Sequence, residues 1–233
     1  MKNILHSKPV DYFTQRGFSY FIMKYVSEDA IRNKTILDVG CGWGSFVLST
    51  LKLNPCKVAG IDVTQPDIQN ALENIKDPRV SFAVASALKL PFPDESFDTV
   101  TAWEVIEHIP KGTEPQFFNE IHRVLKKNGC FYFSTPNKNI WSCLGDPAWW
   151  LIGHRHYSTV DIEKFAEKAR FQVRDLYVWG NFYNIIATLN MYVAKWIFRR
   201  EPFFLNYFNN KIDCSLEKKE TGFAGIVGYM QKN

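Results

Sequence analysis

The chain has 233 residues, of which 46% are hydrophobic and 22% charged, proportions that exclude a disordered or collagen-like chain. Five cysteines (Cys41, Cys56, Cys130, Cys143 and Cys214) are odd in number and form no Cys-x-x-Cys pair, so neither a disulfide framework nor a cysteine zinc site is expected, and a reducing, cytoplasmic setting fits. The net charge of +4 comes entirely from residues 131–233, because residues 1–130 balance 15 Lys+Arg against 15 Asp+Glu, and so small an excess does not indicate nucleic acid.

The N-terminus, MKNILHSKPVDYF, has no apolar run long enough for a signal peptide, and no stretch of 18 apolar residues predicts a transmembrane helix. Residues 10–32 read as a helical lead-in, with an apolar stripe at Phe18, Phe21, Ile22, Tyr25 and Val26. Strands and helices then alternate: TILDVG, GSFVLSTLKL, CKVAGIDVT, PDIQNALENI, RVSFAVAS and FDTVTAWEVI. A helix over PQFFNEIHRVLKKNG is expected to close at Gly129 with Lys126 and Lys127 in its last turn, before the strand CFYFSTPN. Residues 139–158 read as irregular. A helix is expected from Ser158, then a strand, FQVRDLYVWG; residues 182–216 interrupt the alternation, and TGFAGIVGYMQK closes the chain as a strand. Such alternation predicts a doubly wound α/β sheet.

ILDVGCGWG, residues 36–44, places Asp38 at the end of a buried strand and glycines at 40, 42 and 44 before a helix. That crevice is where α/β sheets bind ligands. Asp62 ends the next strand, where an acid can accept both ribose hydroxyls. The loop lacks the spacing of a phosphate-binding motif. An acid at the loop suits a positively charged ligand end, which points to S-adenosylmethionine.

These residues resemble the class I S-adenosylmethionine-dependent methyltransferases, in particular the type 11 branch close to the ubiquinone-biosynthesis O-methyltransferases. ILDVGCGWG resembles the first motif of the family and GIDVT the second. ASALKLPFPDESFDTV and EIHRVLKKNGCFYFSTPN resemble the segments that follow. The resemblance implies a Rossmann-like seven-stranded sheet with an antiparallel last strand and a helical, aromatic insertion before it. It also implies S-adenosylmethionine as cofactor, with S-adenosylhomocysteine as product, held around Asp38, Gly40, Cys41, Gly42, Asp62, Val63, Ser86, Ala87 and Trp103. Ser86 stands where the family often has Asp. The expected organisation is a single domain over 1–233: a lead-in (1–33), a cofactor-binding core (34–137), and an acceptor-side cover (138–158 and 180–216).

Glu104, Glu107 and His108 stand at i, i+3 and i+4 and would share one face of a helical turn. Two carboxylates and an imidazole could hold a divalent cation, Mg²⁺ or Mn²⁺, and serve as the catalytic group. ExxEH resembles the metal motif of the ubiquinone O-methyltransferases and of the small-RNA 2′-O-methyltransferases. In the latter a later His completes the site, which implies His154 or His156. The alternative without metal has the glutamates capping or ion-pairing, and His108 orienting the acceptor or acting as base. His154 and His156 would then pack or cap the helix after them. The aromatic cover suits a small, aromatic or lipid- or glycan-linked hydroxyl acceptor. The stripe Ile185, Ile186, Leu189, Val193, Trp196 and Ile197, with Lys195, Arg199 and Arg200 nearby, reads as a peripheral membrane contact over 184–204, or as a lid or dimer helix. RNA methylation and non-catalytic cofactor binding are the competing functions.

Overall fold

A computed structural model describes residues 8–218 and 221–233. The first seven residues of the expected lead-in, and with them the reading of the extreme N-terminus, lie outside the described residues. Seven strands form one sheet: β1 (Thr35–Val39), β2 (Lys57–Asp62), β3 (Val80–Val84), β4 (Phe97–Trp103), β5 (Leu125–Pro136), β6 (Phe171–Trp179) and β7 (Gly225–Lys232). Their order is β3-β2-β1-β4-β5-β7-β6. β7 runs antiparallel to both β5 and β6, and the pairs from β3 to β5 are parallel. This is the Rossmann-like sheet with an antiparallel last strand that the motifs imply.

Side chains alternate across a strand, and here each face buries its own core. Leu37 and Val39 of β1 and Phe131 and Phe133 of β5 pack on one side, under α4 (Glu114–Val124) and α7 (Thr159–Lys168). Ile36, Val58 and Tyr132 face the other side, under α1 (Phe18–Tyr25), α2 (Ser45–Thr50) and α3 (Gln65–Asn74). The lead-in is thus one short helix, α1, flanked by 3₁₀ turns at Tyr12–Thr14 and Glu28–Ala30. Its Ile22 and Met23 are buried.

Three expectations are corrected. The helix over 115–129 ends at Val124, so Lys126 and Lys127 belong to β5. Leu125 is fully buried opposite Phe97, and Lys126 reaches Asp98 at 2.9 Å. Burial and strand pairing outweigh helix propensity there. The tight turn falls at Asn128, in the left-handed region, and Gly129 serves close approach: a Cβ on it would lie 3.0 Å from the Asp98 carbonyl. Second, residues 139–158 hold two short helices, α5 (Ile140–Leu144) and α6 (Pro147–Ile152), each started by a side-chain cap, Asn139 and Asp146. Third, residues 104–108 form a bend and a turn closed by His108 N–H on Val105 O at 2.9 Å, not a helical turn. Glu104 sits at φ 54° and Pro110 follows, so neither end can continue a helix.

Between β6 and β7 the chain forms α8 (Phe182–Val193), a π turn (Ala194–Phe198) and α9 (Leu205–Glu217). This excursion leaves and returns at one hairpin tip, where Gly222 N–H donates to Val178 O at 2.8 Å and Phe223 N–H to Gly180 O at 2.9 Å. Among the described residues no helix is long and apolar enough to cross a membrane.

Candidate active site

Among the described residues, two cavities that share Glu104 open at the carboxyl ends of the parallel strands. The first, about 550 Å³, is lined by Gly40, Asp62, Val63, Ser86, Ala87, Glu104 and His108, among others. Seven of the residues singled out in the sequence therefore share one cavity. Gly40 (φ 70°) is required twice over: a Cβ there would also come within 2.5 Å of Val105. Gly42 (φ 50°) faces open space. Asp62 accepts from Gly42 N–H at 3.0 Å and from Thr64 N–H at 2.8 Å, which pins the carboxylate at the rim. Val63 stays 69% exposed, an apolar floor for a flat ring. Ser86 Oγ accepts from Leu88 N–H at 3.2 Å, so this hydroxyl already closes its own turn.

The remaining cofactor candidates lie behind that wall. Asp38 is buried, with Oδ1 accepting from Thr101 Oγ1 at 2.7 Å, and burial pushes its carboxyl up to about 7. The Thr101 bond opposes that rise and the Asp62 charge adds to it. The Cys41 side chain is buried, and a Cβ on neighbouring Gly60 would meet its Sγ at 2.9 Å. Trp103 packs on Phe46, ring centroids 5.5 Å apart.

The second cavity, about 460 Å³, lies under the cover. Its wall includes Arg16, Trp179, Ile185 and Tyr192 together with Glu104, Asp146, His154 and His156. Glu104 lines both cavities.

Around Glu104 the structure gathers a titratable cluster. Glu107 is buried, with Oε2 accepting from Thr135 Oγ1 at 3.0 Å. Its Oε1 has no hydrogen-bond partner among the described residues, nor has His154 Nε2, and the two atoms stand 3.9 Å apart. One donor atom each from Glu107, His108 and His154 lies within 4.8 Å of the other two. A second group, Asp146, His154 and His156, is equally close but already bonded within itself. Asp146 Oδ2 meets His154 Nδ1 at 2.7 Å and His156 Nε2 at 3.0 Å. Thus, of the two late histidines, His154 joins the ExxEH residues, while His156 is held by Asp146 and by the Asn137 carbonyl at 3.1 Å. Neither caps α7, whose cap is Ser158 paired with Asp161.

Burial pushes the Glu107 carboxyl well up, and the charge of Glu104 pushes it further. Glu104 opens on the cavities yet is ringed by protein, and desolvation raises it too, against hydrogen bonds from Ser134 and Glu107. His108 is lowered by burial first, then by His154 and Arg155. Asp146 is desolvated, but its bonds to His154, His156 and Ala148 N–H outweigh that and hold it well below the usual carboxylate range.

Asp146 and Arg155 were not singled out in the sequence. The Gly-Asp-Pro run marks a helix start, and Asp146 Oδ1 does cap α6 through Ala148 N–H at 2.9 Å, so that sufficient role hides the second oxygen. Arg155 donates to the carbonyls of Ile106, at 2.8 Å, and Ile109, and to Glu114 at 3.1 Å. It clamps the Glu104–Pro110 turn from behind.

Parts of the chain resemble known proteins. Residues 36–129 match the family model described as a methyltransferase domain. A protein of Mycolicibacterium smegmatis named "probable S-adenosylmethionine-dependent methyltransferase" is 29% identical over 144 residues, 61% of this chain and 53% of that protein. Demethylmenaquinone methyltransferase of Chlorobaculum parvum is 36% identical over 105 residues, 45% of this chain and 42% of that one. The crystal structure of an S-adenosylmethionine-dependent methyltransferase from Mesorhizobium loti superposes with a TM-score of 0.65 at 15% identity, covering 90% of this chain and 95% of that one. The chain spans about half the length of the curated relatives it matches. Residues 36–129 thus match a methyltransferase domain, and the fold is the one found in solved S-adenosylmethionine-dependent methyltransferases.

Proposed function

We propose that the protein methylates a hydroxyl oxygen of a small, aromatic or lipid- or glycan-linked acceptor. The observation that carries this reading is the shared wall: Glu104 borders both the Asp62 cavity and the cavity under the cover. A methyl donor in the first faces an acceptor in the second. Transfer is an in-line displacement in which the acceptor oxygen bonds to the methyl carbon as the carbon–sulfur bond breaks, leaving S-adenosylhomocysteine. The cavities supply alignment and exclusion of water. The acceptor must also lose a proton, and the carboxyl–imidazole cluster receives it, with Glu104 the member open to both sides.

The cluster fits a divalent cation of the Mg²⁺ or Mn²⁺ type. Glu107 Oε1 and His154 Nε2 are buried without hydrogen-bond partners among the described residues, and one donor atom each from Glu107, His108 and His154 lies within 4.8 Å of the other two. Glu107, His108 and His154 would hold the ion, and Asp146 would fix the His154 ring from behind. When bound, the ion would make the acceptor hydroxyl more acidic.

The test is methyl-labelled cofactor added with the protein to a cell extract, followed by partition into organic, aqueous, RNA and protein fractions. Label is expected in the organic or small-molecule fraction. Glu107→Gln and His154→Ala should each lower it by about a hundredfold, and chelation should do the same, with cofactor affinity unchanged. Label in RNA would overturn the acceptor reading. Full activity after chelation would remove the metal.

A further inference from the structure

The amphipathic logic of α8 runs the wrong way for a helix that only closes a cavity. Its inner face meets the acceptor-side cavity through Ile185, Thr188 and Tyr192. Ile185 is pressed against α5, where a Cβ on Gly145 would come within 2.3 Å of it. So Ile185, grouped with the outer stripe on sequence, belongs to the inner side. The outer face is apolar as well. Phe182, Ile186, Leu189 and Val193, spaced i, i+4, i+7 and i+11, are all exposed. The π turn prolongs the stripe with Trp196, Ile197 (70% exposed) and Phe198, and Phe204 beyond it is 79% exposed. α5 extends it sideways: Trp141, itself exposed, meets Phe182 with ring centroids 5.6 Å apart.

Charge says what covers this face. From Leu176 to Arg200 there is no acidic residue, and Lys195, Arg199 and Arg200 follow Val193 beside Trp196, with Glu201 the one acid adjoining them in sequence. An apolar stripe ending in an aromatic and basic rim is complementary to a bilayer with negative headgroups. We propose that the outer face of α8 and its π turn dock on an anionic lipid surface, and that the acceptor is an amphiphile entering from that surface into the cavity roofed by the inner face of the same helix. The second half rests on the methyltransferase reading above; the docking does not.

The test mixes purified protein with phosphatidylcholine vesicles, with or without phosphatidylglycerol, and sediments them. Protein is expected in the phosphatidylglycerol pellet, less so as salt rises. Trp196→Ser combined with Ile197→Ser should weaken pelleting at least about tenfold, while circular dichroism and cofactor affinity stay as in the parent. Protein left in the supernatant under every condition overturns the proposal. So does a dimer, measured by light scattering without lipid, that the same double substitution dissolves, because a second copy would then own the stripe. Methyl label carried into the lipid extract of a vesicle preparation from host membranes supports the amphiphilic acceptor. Vesicle binding without label in any fraction supports the docking and removes the methyl transfer.

Discussion

Asp38 shows how one side chain charges the fold for its position. Its carboxyl is raised by burial to about 7 in the native state, against 3.8 as the reference. Between those values the native state holds a proton that the unfolded chain has released, so stability falls as pH rises from about 4 to about 7 and stays low above that. The full effect is at most about 4 kcal/mol. Asp38→Asn keeps a partner for Thr101 and removes the charge, so it should raise the melting temperature at pH 8 and leave it nearly unchanged at pH 4; an equal gain at both would refute a buried charge. Asp62 and Ser86 divide differently. Asp62→Ala removes a carboxylate that holds both the loop and the rim of the cavity, and should weaken S-adenosylmethionine binding roughly tenfold to a hundredfold by calorimetry. Ser86 Oγ is already engaged by Leu88 N–H. Ser86→Ala should therefore stay within about threefold, and a larger loss would assign the hydroxyl to the ligand.

Among the elements, the Glu104–Pro110 turn depends most on neighbours distant in sequence. Besides its closing bond from His108 N–H to Val105 O, Arg155 and Tyr157 brace it through the Ile106 carbonyl and the buried Glu114. Arg155→Ala would leave Glu114 without its cation and should cost about 3 kcal/mol in denaturant unfolding. Arg155→Lys should recover little, because one ammonium cannot reach two carbonyls and a carboxylate at once; full recovery would show that charge alone suffices. This turn also marks where the sequence stops being readable. The i, i+3, i+4 spacing of Glu104, Glu107 and His108 matches a helix, yet the left-handed Glu104 and Pro110 break it, and the three meet through folding of the 146–157 segment over them. The glycine loop, by contrast, is legible because Gly40 answers a local need. Helix α4 was legible in its buried Phe117, Phe118 and Ile121 but not in its end, since the pull on Leu125 comes from Phe97 in another strand.

At the scale of the molecule, the doubly wound sheet is legible in the alternation of strands and helices, and its seven strands with an antiparallel last one in the family resemblance, while the strand order comes from the structure. The cover is harder to read: in α8 both faces are apolar, and periodicity cannot say which one looks inward. Its attachment has a consequence of its own. Segment 181–221 departs and rejoins at a single closed tip between two strands that are already neighbours, β6 and β7. A loop anchored in this way adds little closure entropy as it lengthens, about 0.6 kcal/mol per doubling, and a change in its length shifts no strand register. Its described residues tie back to the rest through Ile185 against Gly145, Phe182 against Trp141, and Gly17 N–H on Asp213 at 2.6 Å. The sheet therefore carries this segment as a side insertion at one hairpin. The insertion's length and sequence can change without moving a strand pair, so the loops around Asp62 stay where the parallel strands put them.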